Sequence, residues 1–127
     1  MKLEDLTWLA GLWEGEGSFF VDMQKRKGVR YPYAIAQISM TDEDIIERVS
    51  ELLDKNYTLN DWFQSKNPDH KVQFRLKLSG DKAIDLMRNL YRFMGARRQQ
   101  KIIDVLTECS RDTSTMLARN ESWVNED

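Results

Sequence analysis

The segment that most constrains this chain runs from 9 to 17 and reads Leu9-Ala10-Gly11-Leu12-Trp13-Glu14-Gly15-Glu16-Gly17. Gly11 and Gly15 are four residues apart, so on a helix they form, with Ala10, a stripe almost free of side chains. Another backbone can pack closely against such a stripe. Glu16 falls at the end of this helix, where flanking glycines permit unusual backbone angles. If the partner is a second copy, two Glu16 carboxylates meet.

Hydrophobic periodicity beyond this segment predicts the element order αββαββαα. Alternating residues predict strands, and apolar residues spaced three or four apart predict amphipathic helices. The Thr41-Asp42-Glu43-Asp44 sequence is typical of a helix start, and Gly95 is a plausible helix terminator. The predicted elements are a helix over 4–14, strands over 18–24 and 31–39 around a basic turn, a helix over 42–53, strands over 57–66 and 71–79, and helices over 81–94 and 97–109.

Length and composition limit the classes of protein that this sequence can belong to. Its 127 residues fit one domain, and residues 111–127 are polar enough to form only a short helix or a tail. Cys109 is the only cysteine, which favours a reducing compartment, and no apolar run approaches the roughly 20 residues that span a membrane. The first residues lead directly into the motif helix without a signal-peptide pattern. No zinc-ligand spacing, glycine-rich phosphate loop or Ser-His-Asp context is present.

Charge is unevenly distributed along the chain, although the formal total is only −2. Residues 17–41 contain four basic and one acidic side chain, and residues 57–80 contain four basic and two acidic ones. In contrast, residues 42–56 contain six acidic and two basic side chains. The predicted strands are therefore basic and the second helix is acidic. A molecule polarised in this way can bind phosphate at one surface despite a negative total.

The segment 9–17 resembles the LAGLIDADG signature of homing endonucleases. Five of its nine positions are identical to that signature: Leu9, Ala10, Gly11, Leu12 and Gly17. Glu14 and Glu16 replace its two aspartates, Gly15 replaces its second alanine, and Trp13 replaces its isoleucine. The resemblance extends over roughly residues 5–109 and implies a single α+β domain, 1–127, with the αββαββα plan: a saddle-shaped antiparallel sheet with helices on one face.

One motif per chain implies half of a family site, so the resemblance implies a homodimer. The expected activity is site-specific, metal-dependent hydrolysis of double-stranded DNA at a long, near-palindromic target. The alternative on the same scaffold is a cleavage-deficient DNA-binding regulator or an RNA-splicing maturase. An intracellular protein is expected, either cytoplasmic in a bacterium or encoded by a phage, or organellar, with no membrane partner and no small-molecule cofactor.

The resemblance also implies roles for particular residues near the end of the motif. Glu16, together with the backbone carbonyl of Gly15, is expected to bind Mg²⁺ or Mn²⁺, since like-charged carboxylates that meet need a cation between them. Arg98 best matches the basic residue that the family places near the active site, with Arg97 and Lys101 as rivals. Gln37 is the expected water-ordering residue, although Ser39 is nearby and Met40 has the expected spacing.

The polar positions of the strands are expected to contact DNA, because arginine, lysine and glutamine recognise base edges in the major groove. The predicted DNA-binding residues are Ser18, Asp22, Gln24, Lys25, Arg26, Lys27, Arg30, Tyr31, Tyr33, Gln37, Ser39, Lys66, Lys71, Gln73, Arg75 and Lys77. The predicted dimer interface consists of Trp8, Leu9, Gly11, Leu12 and Gly15.

Overall fold

A computed structural model describes residues 1–60 and 71–109 of the chain. The described elements follow the order of helix, two strands, helix, two strands and two helices. In chain order they are α1 (Leu3–Glu16), β1 (Gly17–Arg26), β2 (Val29–Met40), α2 (Glu43–Leu53), β3 (Thr58–Asn60), β4 (Gln73–Ser79), α3 (Asp81–Leu90), a 3₁₀ turn (Tyr91–Phe93) and α4 (Ala96–Glu108). The predicted α+β order is confirmed.

The four described strands form one antiparallel sheet in the order β1-β2-β4-β3. Because successive side chains on a strand point to opposite faces, the pairing register assigns each residue to a face. Phe19 pairs with Ala36, which pairs with Leu78, and all three belong to the hydrophobic core. The helices contribute most of the remaining core residues, so they pack on this face of the sheet. The opposite face, here called the open face, carries the alternate residues.

The β1–β2 hairpin extends beyond the core at its turn. Lys27 and Gly28 have φ angles of 50° and 81°, and positive φ at both central residues is the geometry of a type I′ turn. Val21 and Ala34 are the last pair on the hairpin that contacts the core, whereas Met23 is 43% exposed. The outer part of the hairpin therefore has both faces in solvent.

Two features differ from the sequence predictions. The third helix ends at Leu90 and continues only as the 3₁₀ turn, while Gly95 lies at the start of α4 and does not terminate the preceding helix. β3 is described for only three residues. The rest of the predicted strand over 57–66 and the predicted tail over 111–127 lie outside the described residues.

The last glycine of the motif is required by packing and not by backbone geometry. Gly17 has φ −89° and ψ 172°, an extended conformation that any residue adopts. A Cβ atom at this position would clash with the indole of Trp13, which is fully buried. The Trp13 ring also stacks on Phe19, and its Nε1 donates to the Ser18 carbonyl at 3.4 Å. The expectation that Gly17 supplies an unusual backbone angle is therefore wrong.

In the described part of the chain, no helix has the length and apolar character needed to cross a bilayer.

Substitution of Gly17→Ala should destabilise the fold by about 1–3 kcal/mol, because the added methyl group forces the buried Trp13 ring to move. Chemical denaturation of the purified protein measures this change. Ser18→Ala is the matched control, since it lies next along the same strand on the open face and should change the free energy of unfolding by less than about 0.5 kcal/mol. Equal losses from both substitutions would contradict the role given to Gly17.

Candidate functional site

One side of α1 presents an uncovered surface to solvent. No atom lies within 4 Å of a Cβ placed on Gly11 or on Gly15, and both residues are exposed. Ala10 is only 3% exposed and Leu9 is fully buried in the core. The predicted small-residue stripe thus narrows to the two glycines. Leu9 is removed from the predicted dimer interface, because its side chain already packs inside its own chain.

Trp8 and Leu12 flank the glycine stripe and are half-buried against the core. The Arg48 guanidinium from α2 lies over the Trp8 ring, 3.9 Å from its centroid. Its Nη2 also lies 3.3 Å from a carboxylate oxygen of Asp5. Arg48 therefore fixes the Trp8 ring along α2, which leaves Leu12 and the glycines as the open part of this side of α1.

Glu16 ends α1 and directly precedes the edge strand β1. It is exposed, and among the described residues no hydrogen bond or ion pair to its carboxylate is found. Two residues later, Ser18 pairs with Gln37, which pairs in turn with Lys77. The open face therefore begins beside Glu16 with a row of three polar side chains.

Glu14 joins the end of α1 to the start of α4. Its Oε1 accepts a hydrogen bond of 3.2 Å from the backbone N–H of Gly95, and its Oε2 lies 3.4 Å from Nε of Arg98. The same Arg98 nitrogen donates to the backbone carbonyl of Glu14 at 3.0 Å. A carboxylate at a helix N-terminus is favoured by the helix dipole. Arg98 is thus held by α1, with only 14% of its side chain exposed.

An open groove of about 660 Å³ lies between the start of β1 and the first turns of α4. Its lining residues are Gly17, Ser18, Phe19, Arg97, Arg98, Gln100, Lys101 and Asp104. Arg97 and Lys101 are exposed in this groove, whereas Arg98 is occupied by Glu14. The charged groups of Arg97 and Lys101 are therefore more accessible than that of Arg98, the residue preferred from the sequence.

The register places the polar strand residues of the described region on one surface. Gln37, Ser39 and Arg75 share the open face, whereas Met40 lies on the core side opposite Phe74. The predicted DNA-binding residues on the open face are Ser18, Asp22, Gln24, Arg26, Tyr31, Tyr33, Gln37, Ser39, Gln73, Arg75 and Lys77. Lys71 is exposed just before β4. Lys66 lies outside the described residues.

The hairpin tip carries charge on both of its faces. Arg26 lies on the open face, with its guanidinium 5.1 Å from the centroid of the Tyr33 ring. Lys25 pairs with Arg30 on the opposite face, and Lys27 occupies the turn itself. The tip is therefore a basic projection, and only part of it belongs to the open face.

At the other edge of the sheet, Arg75 lies in an open groove of about 590 Å³ with three basic side chains and one acidic one; its other lining residues are Asp54, Lys55, Asn56, Thr58 and Lys77. Its Nε is buried and has no hydrogen-bond partner among the described residues. A buried donor without a partner is costly unless a ligand or solvent satisfies it. This groove therefore suits an anionic group such as a phosphate.

Within 1–60 and 71–109, no cluster of three or more histidine, cysteine, aspartate or glutamate side chains forms a ready metal site. The oxygen donors at the end of α1 are the exposed carboxylate of Glu16 and the backbone carbonyl of Gly15, whereas the carbonyls of Trp13 and Glu14 accept hydrogen bonds from Gly17 and Arg98. Oxygen donors of this kind suit Mg²⁺ and related hard cations. One chain contributes an incomplete set of ligands.

No protein-family model matches the sequence. No curated protein matches it in sequence either. Several solved structures have a similar fold. The homing endonuclease I-CvuI, in complex with a DNA target and 2 mM Mg, matches with a TM-score of 0.61 and 14% identity over 96% of this chain and 76% of that one. The archaeal intron-encoded homing endonuclease I-Vdi141I, complexed with DNA, matches with a TM-score of 0.59 and 14% identity over 94% of this chain and 96% of that one.

The LAGLIDADG meganuclease I-CpaMI, bound to uncleaved DNA, matches with a TM-score of 0.56 and 14% identity, over 87% of this chain but only 38% of the other. At these identities the similarity establishes the fold. The chain therefore has the fold of the LAGLIDADG homing endonucleases. The sequence carries one copy of the motif.

The sequence analysis placed Glu14 in the motif but missed its role in joining two helices. The features in the sequence that could have indicated this contact were an acidic residue near the end of one helix and Gly95 at the start of another. A Cβ at Gly95 would lie 2.7 Å from Oε1 of Glu14, so glycine permits the close approach. The contact of Arg48 with Trp8 joins residues 40 positions apart and left no local pattern in the sequence.

Gly95→Ala should destabilise the protein by displacing the Glu14 carboxylate from the start of α4. In a Glu14→Ala background the added methyl group meets no carboxylate, so its cost should fall. We expect a coupling energy of about 1 kcal/mol between the two substitutions, measured by chemical denaturation of the four proteins in a double-mutant cycle. Strictly additive effects would contradict the proposed contact.

Proposed function

We propose that this protein is a site-specific, divalent-metal-dependent DNA endonuclease that acts as a homodimer on a long, near-palindromic target. The observation that carries the proposal is the position of Glu16. An accessible carboxylate ends a helix with an uncovered glycine stripe and stands at the start of a polar, basic sheet face. The solved structures of similar fold are homing endonucleases, and several are complexed with DNA, which supports the assignment.

The homodimer is supported by the surface of α1. Two exposed glycines with open space around them permit a second helix to approach until the backbones are close. A symmetric contact through this stripe would place the two Glu16 carboxylates near the dimer axis. The close approach of two negative charges is unfavourable without a cation or a proton. The interface would therefore create the metal site that one chain lacks.

In this arrangement Glu16 and the Gly15 carbonyl would hold the metal, together with oxygens of the DNA backbone. A bound Mg²⁺ or Mn²⁺ lowers the pKa of coordinated water and stabilises negative charge on phosphate oxygens. Glu16 would hold that ion at the rim of the interface. Gln37 lies in the first row of the open face, and we propose that it would orient water by hydrogen bonding. Arg97 and Lys101 supply positive charge in the groove beside β1.

Arg98 has a different role in this proposal from the one that the sequence suggested. Because its guanidinium is bound by Glu14, it anchors the first turn of α4 to the end of α1. That anchor keeps Arg97 and Lys101 in the groove beside Ser18, which lies two residues along the chain from Glu16. Of the two, Lys101 is able to donate a proton as well as stabilise charge, whereas arginine remains protonated at neutral pH.

DNA would bind along the open face, with the hairpin tip and Arg75 at its margins. The polar residues of β1, β2 and β4 would contact base edges, and the basic tip and the Arg75 groove would contact phosphates. The acidic α2 belongs to the helical layer on the other side of the sheet. This separation of charge lets a protein with a formal charge of −2 attract DNA to one surface.

Glu16→Gln should abolish cleavage and leave DNA binding intact. The substitution preserves side-chain size but removes the charge that would hold the metal, so the cleavage rate should fall on the order of a thousandfold. The assay uses duplexes selected by the wild-type protein from a randomised pool and inserted into a plasmid, with and without Mg²⁺ or Mn²⁺. Ser39→Ala is the control on the neighbouring strand and should reduce the rate far less.

The same assay distinguishes the cleavage-deficient alternative. A wild-type protein that binds its selected duplex, yet neither nicks nor cuts it at any metal concentration, would refute the endonuclease proposal and favour a DNA-binding regulator or maturase. Failure to retain any duplex at low salt would refute DNA binding altogether, because phosphate contacts strengthen as salt falls.

Gly11→Leu should convert the protein to monomers without unfolding it. The position has open space in the single chain, so the isolated fold accepts the side chain, whereas a close helix contact does not. We expect the dissociation constant of the dimer to rise by at least roughly 30-fold, which is equivalent to a steric cost of about 2 kcal/mol. Sedimentation velocity measures the change, and Thr107→Leu on the exposed side of α4 is the control. A wild-type protein that is strictly monomeric at micromolar concentration would contradict the shared site.

A further inference from the structure

Two neighbouring side chains in one row of the open face are apolar, although the rows on either side are polar. Phe20 on β1 pairs with Ile35 on β2, and Ile35 pairs with Ser79 on β4. Ile35 is fully buried, and Phe20 is half-buried. Neither side chain belongs to the core cluster beneath the helices or packs against it. They therefore form a separate apolar contact on the side of the sheet that the proposed function assigns to DNA.

The rows on either side of this contact carry hydrogen-bonding groups. The row nearer to Glu16 consists of Ser18, Gln37 and Lys77, and the next row outward begins with Asp22 and Tyr33. Phe20 is thus the only partly exposed side chain in the first three β1 rows of the open face that cannot hydrogen bond. A duplex lying along this surface would meet polar, apolar and polar contacts in that order.

We infer that Phe20 is a specificity-determining residue that selects thymine at one position in each half-site. This inference rests on the proposed function. In the major groove the edges of the bases present hydrogen-bond donors and acceptors, and the one apolar group among them is the C5 methyl of thymine. A phenyl ring that faces a donor or an acceptor on a base would displace the water bound to that group without replacing the lost hydrogen bond. Contact with a thymine methyl avoids that cost.

The register also fixes where this thymine lies relative to the other contacts. Rows two residues apart are about 6.8 Å apart along an antiparallel strand, which matches about two base-pair steps of DNA. Phe20 is four residues from Glu16 along the chain, and Gln24 is eight. The thymine should therefore lie about four base pairs outward from the base pair beside Glu16. It should lie nearer to the centre of the target than the base pair contacted by Gln24.

The first test compares binding sites selected from one randomised duplex pool by three proteins. The wild-type protein and Phe20→Leu should both select thymine at the same symmetric pair of positions, because leucine retains an apolar contact. Phe20→Ala should lose the thymine preference there and keep the preferences elsewhere. Gln24→Ala is the matched control on the same strand and face, and it should relax a position farther from the centre.

A second test measures the methyl group directly. Replacement of the selected thymine by deoxyuridine removes the methyl and leaves every hydrogen-bonding group in place. The wild-type affinity should fall about fourfold for each half-site, which corresponds to one buried methyl group. The affinity of Phe20→Ala should change less than twofold. Equal losses in the two proteins would overturn the inference.

A third measurement needs no variant and so does not depend on how well Phe20→Ala folds. The selected thymine is replaced by 5-iodouracil, whose halogen occupies the place of the methyl, and the wild-type complex is irradiated. Mass spectrometry should find the cross-link on Phe20. Cross-links at this base that occur only on other residues would overturn the inference. It would also be overturned if the selected sites contain no thymine whose preference is lost in Phe20→Ala. If the wild-type protein retains no duplex, the proposed function fails and this inference fails with it.

Discussion

The Trp13 side chain determines how the helical layer meets the sheet. It is fully buried, its indole leaves no room for a side chain at Gly17, and its ring stacks on Phe19, two residues further along the strand. These contacts fix the direction in which β1 leaves α1. Because α1 ends one residue before β1 begins, the same contacts fix the position of Glu16 at the boundary. One buried aromatic ring thus fixes the position of Glu16 relative to the open face.

The element order and the two faces of the sheet could be predicted from sequence, since both follow from local periodicity. The strict alternation of Val72, Phe74, Leu76 and Leu78 with polar residues predicted β4, and the register confirms that Phe74, Leu76 and Leu78 lie on one face. Boundaries were less accurate where tertiary contacts act. Gly95 was assigned to a helix end because glycine commonly ends helices, but it lies at the start of α4, where its N–H donates to the Glu14 carboxylate.

The residues of the candidate site could be predicted from the sequence, but the contacts between them could not. The motif indicated Glu16 and the glycine stripe, whereas Leu9 and Ala10 turned inward because α1 packs its apolar residues into the core. Arg98 had the expected sequence position, yet its guanidinium is held by a carboxylate 84 residues away along the chain. No local pattern reports such a contact. Which of three neighbouring cations remains accessible is decided by the packing of two helices.

The outer hairpin has a further consequence for how proteins of this shape diverge. Beyond Val21 and Ala34 its residues make no core contacts, and its strands are joined by a turn of only two residues. Adding or deleting one residue from each strand would shift the tip without disturbing a helix, but it would exchange the two faces beyond that point. Changes of two residues per strand preserve the faces. The length of the surface can therefore evolve in discrete steps of about 6.8 Å along the strands, while the interior of the protein stays constant.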